Sequence, residues 1–523
     1  MALPFAGFEN ARCTTALAHA AHAPVPASTR KRKHDEAEEP AFVSMPFTGP
    51  LPTCSQTSTL TGTYDVAIAD MPADYTSQPW FTALTLHPVV SSVCPQKPKP
   101  LVTWSESKGT LHLPKFAGLL QFGLPTNDQR TLGVTMAAHV RFIGTLCAEN
   151  PPQQQATDAT LQQLRALGGA LLVLPCGFGK TVCSLYVAAT IHRRTLIVVH
   201  SEALAAQWVD RIGAFVPQAS VGRMQQDVVD VDGRDIVVCM IQSLIKRDYE
   251  AAILNTFGTV IVDEAHHVAA PMFSQALPKL ASRHILALSA TPNRPDGCGA
   301  ALNLLMGPTV FRAKRVHEHV DVRMVTYTRG DQEELVSKYN GKPLASTMLT
   351  RLATDFVRCQ LIATFVAEQM QQRRNILVLS DRLDQLSMLQ ELLQPATATA
   401  DGCTVAKVVG GTKAQDRVAG FDATVILSTY HYASEGIDIP RLDTLIMATP
   451  RGNVEQTVGR ILRPYPNKKI PLVIDIKDPF SLFEGMAWKR FRYYKSQSYR
   501  VSRADDVDGA DNADNGDCGE SQD

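Results

Sequence analysis

The sequence predicts an α/β protein built from two doubly wound domains in tandem. Three observations carry that prediction. From residue 170 onward, short continuous apolar runs alternate with longer helix-compatible segments. The alternation becomes irregular near 311–350 and then resumes. A glycine-containing loop of the kind that cradles phosphate occurs in the first half and not in the second. Unbroken Leu/Ile/Val runs bounded by polar or glycine-containing loops mark parallel strands buried on both faces.

In the first half the expected strands are Ala170–Pro175, Thr195–His200, Asp235–Met240, Thr259–Asp263 and His284–Ser289. In the second they are Asn375–Ser380, Thr424–Thr429, Thr444–Thr449 and Pro471–Ile476. A chain of 523 residues, 45% apolar and 20% charged, is long enough to bury two such cores. We therefore expect a first domain over 151–310, a linker over 311–350 and a second domain over 351–480. Ahead of them, residues 1–60 are rich in Ala, Pro, Ser and Thr and read as disordered. A small accessory region is expected over 95–150, with Leu111-His112-Leu113-Pro114-Lys115-Phe116 as a strand ending at a turn. Residues 481–503 read as a basic, aromatic terminal helix and 504–523 as an acidic disordered tail.

Composition narrows the function classes. No apolar run is long enough to span a membrane, and no charged-then-apolar leader opens the chain. The eleven cysteines include no CxxC pair, so a reduced intracellular protein without structural zinc is expected. Net charge is zero, but residues 505–523 hold eight of the 51 acids and no base. The remaining chain carries a net charge of +8, which permits a nucleic-acid partner without arguing for one. The cluster Arg30-Lys31-Arg32-Lys33 reads as a nuclear-import signal or as a solvated charge run.

The sharpest local pattern is Leu174-Pro175-Cys176-Gly177-Phe178-Gly179-Lys180-Thr181, placed between a buried strand and a helix. Backbone N–H groups of such a loop converge on phosphate oxygens, helped by the positive end of the helix. Lys180 would reach the β- and γ-phosphates of ATP and the Thr181 hydroxyl would ligate Mg²⁺. Leu174 stands where the usual motif has its first glycine. Asp263 and Glu264 come 83 residues after Lys180, where an apolar strand runs out. One carboxylate can hold Mg²⁺ while its neighbour polarises the attacking water. His266 and His267 lack a third ligand at suitable spacing, so zinc is not expected, and His266 reads as a hydrogen-bonding residue at the cleft. In the second half, Arg460 and Arg463 lie three apart and would share one face of a helix. Two guanidiniums aimed at a phosphate cleft can stabilise charge on a transferred phosphoryl group.

Taken in order, LPCGFGKT (174–181), VDEAH (262–266), SAT (289–291), STYHYASEGIDIP (428–440) and QTVGRILR (456–463) resemble superfamily 2 helicases. The DEAH form and the spacing are most similar to XPB/RadD-like DNA helicases and to helicases of nucleocytoplasmic large DNA viruses. The resemblance spans roughly 110–480 and includes Leu113–Gly118 with Phe122-Gly123. It implies two tandem RecA-like domains with an ATP site between them. It further implies that Gly177, Gly179, Lys180 and Thr181 hold phosphate and that Thr181 and Asp263 hold Mg²⁺. Glu264 would be catalytic, and Ser289 and Thr291 would link hydrolysis to movement. Arg460, Arg463 and Gln456 would complete the cleft from the second domain, with Gly436 and Asp438 bridging nucleotide and nucleic acid. An adenine-reading glutamine falls among Gln153, Gln154 and Gln155, with Gln155 preferred. Nucleic-acid contacts map to Ser201, Gln242, Ser243, Gly411, Thr412 and Thr429.

The leading functional reading is an ATP-dependent DNA helicase that couples hydrolysis to translocation and strand separation. Alternatives are an RNA helicase, a translocase acting in transcription without unwinding, and a catalytically silent binding scaffold. Expected partners are single-stranded or duplex DNA, or RNA, together with replication or transcription machinery and no membrane. The resemblance implies a viral protein working in the host nucleus or cytoplasm, or in the virion. Residues 488–500 contain five basic and five aromatic residues and no acid. They suit either a nucleic-acid contact or a helix docked on the second domain.

Overall fold

A computed structural model describes residues 51, 54, 56–88, 99–148, 152–175, 177–265, 273–290, 298–313, 319–327, 334–337, 341, 343–399, 402–437, 439–478 and 480–503. Two large sheets dominate it, as the apolar runs predict. In the first domain the strands Thr195–Val199, Thr259–Val262, His284–Ser289 and Gly169–Val173 lie side by side and parallel. Ile236–Met240 and Val221–Gln225 extend the sheet on one side and Thr309–Arg312 on the other. Only the outermost strand, Val228–Asp230, runs antiparallel. Helices cover both faces, which is why the central strands are buried along their whole length.

The second sheet is parallel throughout, in the order Val405–Lys407, Val425–Thr429, Ile376–Ser380, Thr444–Met447, Leu472–Lys477, Asp321–Thr326 and Arg500–Arg503. Two of these strands lie outside the run of apolar segments read from the sequence. Asp321–Thr326 falls in the stretch read as linker, and Arg500–Arg503 follows the terminal helix Ser481–Ser496. Asp321–Thr326 lies between Leu472–Lys477 and Arg500–Arg503 without an unbroken apolar run, and Arg500–Arg503 is an edge strand paired to it alone.

Two buried ion pairs tie helices to the second sheet. Arg358, on the helix Phe356–Gln371, donates Nε to Asp478 Oδ1 at 2.8 Å and Nη2 to Oδ2 at 3.0 Å. Arg490, on the terminal helix, donates Nη2 to Asp475 Oδ1 at 2.7 Å and Nε to both carboxylate oxygens. Tyr494 adds a hydroxyl donor to the same carboxylate at 2.9 Å. Each arginine also donates to a carbonyl beyond the strand Thr444–Met447, Arg358 to Ala448 and Arg490 to Arg451. The loops at this sheet's carboxyl edge are thereby pinned from beneath.

Ahead of the motor domains sits a third unit that begins earlier than residue 95. Its five-stranded sheet runs Ser105–Ser107, Thr110–Leu113, Tyr64–Ala67, Ser58–Leu60, Asn127–Asp128, around a core of Leu60, Tyr64, Leu111, Leu113 and Phe116. The strand Thr110–Leu113 does end at Pro114, which opens the helix Lys115–Phe122. This unit is fastened to the first domain. Lys115 is buried and donates Nζ to the Leu280 carbonyl at 2.6 Å. Asp128 joins Arg130 and Arg283, each at 2.7 Å. Burial, with Arg130 nearby, lowers the Lys115 ammonium to a pKa of about 7.

Candidate active site

The phosphate loop is shaped by its glycines. The fully buried strand Gly169–Val173 delivers the chain to Leu174 and Pro175. Gly177 and Gly179 then adopt φ of +87° and +93°, a region that side-chain-bearing residues rarely enter. A Cβ at Gly179 would also lie 2.5 Å from Gln153 Nε2, so that side chain would have to shift. Lys180 opens the helix Lys180–Ile191 directly after it. Leu174 is fully buried in the core cluster that includes Phe178. It packs as part of the apolar floor of the loop, and its N–H donates to the Ser289 carbonyl at 3.0 Å. Of the three consecutive glutamines, Gln153 touches this loop, donating Nε2 to the Phe178 carbonyl at 2.7 Å. Gln154 bonds Asp158, and Gln155 is exposed.

The acidic pair faces the loop. The strand Thr259–Val262 ends at Asp263, and Glu264 follows with φ of +46°, an uncommon conformation for a residue with a side chain. Lys180 Nζ lies 3.2 Å from Glu264 Oε1. Asp263 is held on both oxygens: Trp208 donates Nε1 to Oδ2 at 2.9 Å, and the Glu264 N–H donates to Oδ1 at 2.8 Å. Burial and the neighbouring Glu264 charge push the Asp263 carboxyl above its ordinary range, while Lys180 and the Trp208 N–H oppose them. Trp208 has no sequence signal of its own. With Leu204, Ala205 and Ile212 it forms the buried stripe of the helix Glu202–Phe215, where it reads as core.

Arg460 and Arg463 do not share a helical face. The helix Glu455–Gly459 ends just before Arg460. A turn follows, closed by bonds from Arg460 N to Thr457 O and from Ile461 N to Val458 O, both at 3.1 Å. Pro464 disfavours helical geometry at Arg463, so a longer helix is blocked. Arg460 donates Nη1 to the Ile437 carbonyl at 2.9 Å. Arg463 comes from the second domain to the phosphate loop of the first, its Cγ 4.0 Å from where a Gly177 Cβ would stand. The helices Tyr430–Gly436 and Glu202–Phe215 also meet across the domains.

Comparison with known proteins agrees with this geometry. Residues 146–294 match the family model described as Type III restriction enzyme, res subunit. Over 404 residues the chain is 34% identical to L396 of Acanthamoeba polyphaga mimivirus, covering 76% of this chain and 77% of that protein. The chain belongs to the superfamily 2 helicases. It is also 26% identical over 446 residues to QP509L of African swine fever virus, covering 79% and 86% of the two chains. With helicase 161L of Invertebrate iridescent virus 6 it shares 26% over 346 residues, covering 62% of this chain and 76% of that one. L396 and QP509L are provisionally named ATP-dependent RNA helicases, and 161L a helicase. As a superfamily 2 helicase the chain has an NTPase domain able to couple nucleotide hydrolysis to nucleic-acid binding.

The other motif residues of this helicase have varied placements. Gln456 is half-buried on the helix Glu455–Gly459, and Thr181 is half-buried on the first turn of the phosphate-loop helix. Gly436 closes the helix Tyr430–Gly436. Asp438, Thr291, His266 and His267 lie outside the described residues. Ser289 Oγ is buried and has no hydrogen-bond partner among the described residues. Ser201 and Thr429 occupy matching places, each capping a helix at the carboxyl end of a strand, by accepting from Leu204 N and Tyr432 N. Gln242 Nε2 donates to the His200 carbonyl at 2.8 Å, Ser243 Oγ accepts from Gln226 N at 3.0 Å, and Thr412 Oγ1 accepts from Val409 N at 3.1 Å. Gly411 has φ of +91° with open space around it. The bulk at Tyr430-His431-Tyr432 is accommodated by burying Tyr430, whose hydroxyl donates to the Thr449 carbonyl at 2.7 Å.

Proposed function

We propose that the chain is an ATP-dependent RNA helicase whose two motor domains close on one nucleotide. The observation that carries this reading is Arg463 of the second domain lying beside Gly177 of the first, on the loop that leads into Lys180. Lys180, with Gly177 and Gly179, would hold the phosphates, and Glu264 would position the attacking water. In the structure Lys180 pairs with Glu264, so nucleotide phosphates would compete for Lys180 and leave Glu264 available for the water. Arg460 and Arg463 would stabilise charge developing on the phosphoryl group, with Gln456 and the segment through Gly436 and Asp438 organising the same cleft. Binding would then draw the domains together, and hydrolysis would release them.

The residues fit a magnesium ion. Two carboxylates face one ammonium, and the Asp263 carboxyl is pushed up by burial and by Glu264, an excess of negative charge that a divalent cation would relieve. Thr181 and Asp263 would hold the ion, which would neutralise phosphate charge when bound. Among the described residues there is no group of three or more His, Cys, Asp or Glu able to form a metal site by itself.

RNA is favoured over DNA by the names of L396 and QP509L. The narrower affinity to XPB/RadD-like enzymes rests only on motif form and spacing, whereas the viral relatives support an origin in a large DNA virus and action inside a host cell. Ser201, Gln242, Ser243, Gly411, Thr412 and Thr429 would line the strand's path, chiefly by offering helix N-termini and backbone groups to phosphate. The deciding experiment measures ATPase rate without polymer and with RNA, single-stranded DNA or duplex DNA, alongside unwinding of tailed duplexes. RNA-stimulated hydrolysis with RNA unwinding is expected. Stimulation by DNA alone would move the substrate to DNA, and stimulation without unwinding would leave a translocase.

A further inference from the structure

The terminal helix Ser481–Ser496 divides its basic and aromatic residues between two faces. Phe483, Ala487, Arg490 and Tyr494 point into the second domain, fixed by the Asp475 ion pair. The opposite face is different. Trp488 is 52% exposed, while Trp80, Trp104 and Trp208 are half-buried or buried. Lys489, Arg492 and Lys495 are exposed beside it, and none of the three forms an ion pair among the described residues. The Phe491 ring meets Trp488 edge-on at 5.7 Å and carries Lys495 over its face at 5.7 Å. Glu484 is paired with Lys477, and no acid follows it before residue 504.

We propose that Trp488, Phe491, Lys489, Arg492 and Lys495 form a platform for single-stranded nucleic acid, outside the motif residues of the cleft. An exposed indole held on a rigid helix offers a base a stacking surface at little entropic cost. Positions 488, 492 and 495 follow helical spacing along one face. They span about 10 Å of helix axis, the rise of about three nucleotides. The platform also continues the strand-end edge of the second sheet. Lys489 and Met486 lie over Gly452, in the loop after the strand Thr444–Met447. Between that loop and the helix is a cleft of about 400 Å³ lined in part by Arg382, Arg451, Asn453 and Phe483. Thr429 closes the strand Val425–Thr429, two places along the same edge with Ile376–Ser380 between them.

This inference rests on the nucleic-acid motor reading, and one set of measurements separates the two. Full-length chain is titrated with fluorescein-labelled oligo(U) and oligo(dT) over a range of salt, following label anisotropy and tryptophan emission. Quenching of Trp488 emission is expected. Trp488→Ala should weaken binding about 5- to 100-fold, the range for loss of one base stack, and Trp488→Phe should retain most of it. Lys489→Gln, Arg492→Gln and Lys495→Gln together should lower the slope of log affinity against log salt by about 2. Polymer-free ATPase rate and thermal midpoint should stay unchanged in all of them. Variants that bind with unaltered affinity and slope overturn the platform alone. Unaltered chain that binds neither oligomer overturns the motor reading with it. A change in Trp488 emission on deleting 504–523, with no response to oligomer, would assign the face to the acidic tail instead. The two oligomers distinguish RNA from DNA.

Discussion

The two motor domains share one architecture but hold their charges differently. In the first, the charged groups sit at the mouth of the sheet, positioned by two glycines at positive φ, by Glu264 at positive φ and by the Trp208 side chain, whose indole N–H donates to Asp263. In the second, charge is driven into the interior, where Arg358–Asp478 and Arg490–Asp475 are almost completely excluded from solvent. On the proposed function, the first arrangement would let Lys180 and Glu264 change partners when a phosphate arrives. The second ties the carbonyls of Ala448 and Arg451, in the loop after Thr444–Met447, to buried arginines. A motor needs both properties, a site that can rearrange and a lever that cannot.

That contrast predicts opposite outcomes for substitutions on the two sides. Glu264→Gln should keep ATP binding and lower turnover about 100-fold or more, with little change in stability; steady-state hydrolysis and nucleotide titration check it. Asp475→Asn should strand Arg490 in a buried site at a cost of about 3–5 kcal/mol, read from denaturant unfolding. If both changes acted equally on stability, the contrast would fail. Trp208→Phe removes the N–H that steadies Asp263 together with part of a fully buried ring. It should raise the Mg²⁺ concentration needed for half-maximal hydrolysis about 10-fold, with a smaller loss of stability than Asp475→Asn.

A further effect, read from pH, lies at the third unit. The Lys115 pKa near 7 is below its ordinary 10.5, so the folded chain sheds that proton first as pH rises. Between those values the unfolded chain binds more protons, and stability should increase with pH. From pH 7 to 9 the gain is about 2–3 kcal/mol, and it should be missing from Lys115→Met when the two unfolding curves are compared.

The central strands of both sheets were legible because burial on both faces writes itself as unbroken apolar runs. The glycine loop before Lys180 and the placement of the acidic pair at a strand end were legible because strand ends and glycines have local signatures. Arg463 could be named from its spacing, but its approach to Gly177 depends on how the domains meet and on Pro464. Trp208 was hidden because a residue that both packs and donates reads as packing alone. Asp321–Thr326 and Arg500–Arg503 were hidden because their pairing joins segments nearly 180 residues apart. The early start of the third unit was missed for a related reason, since strands as short as Ser58–Leu60 and Tyr64–Ala67 carry too few residues to show a period.

The pairing of Arg500–Arg503 with Asp321–Thr326 places the last described strand of the second domain next to its first. The polypeptide therefore enters and leaves this domain along one border. The closing strand shields backbone donors and acceptors of its neighbour that would otherwise stand bare to other chains. Cutting the protein short before residue 500 would strip that cover and create a template for self-association, even though every residue named in the cleft would still be present.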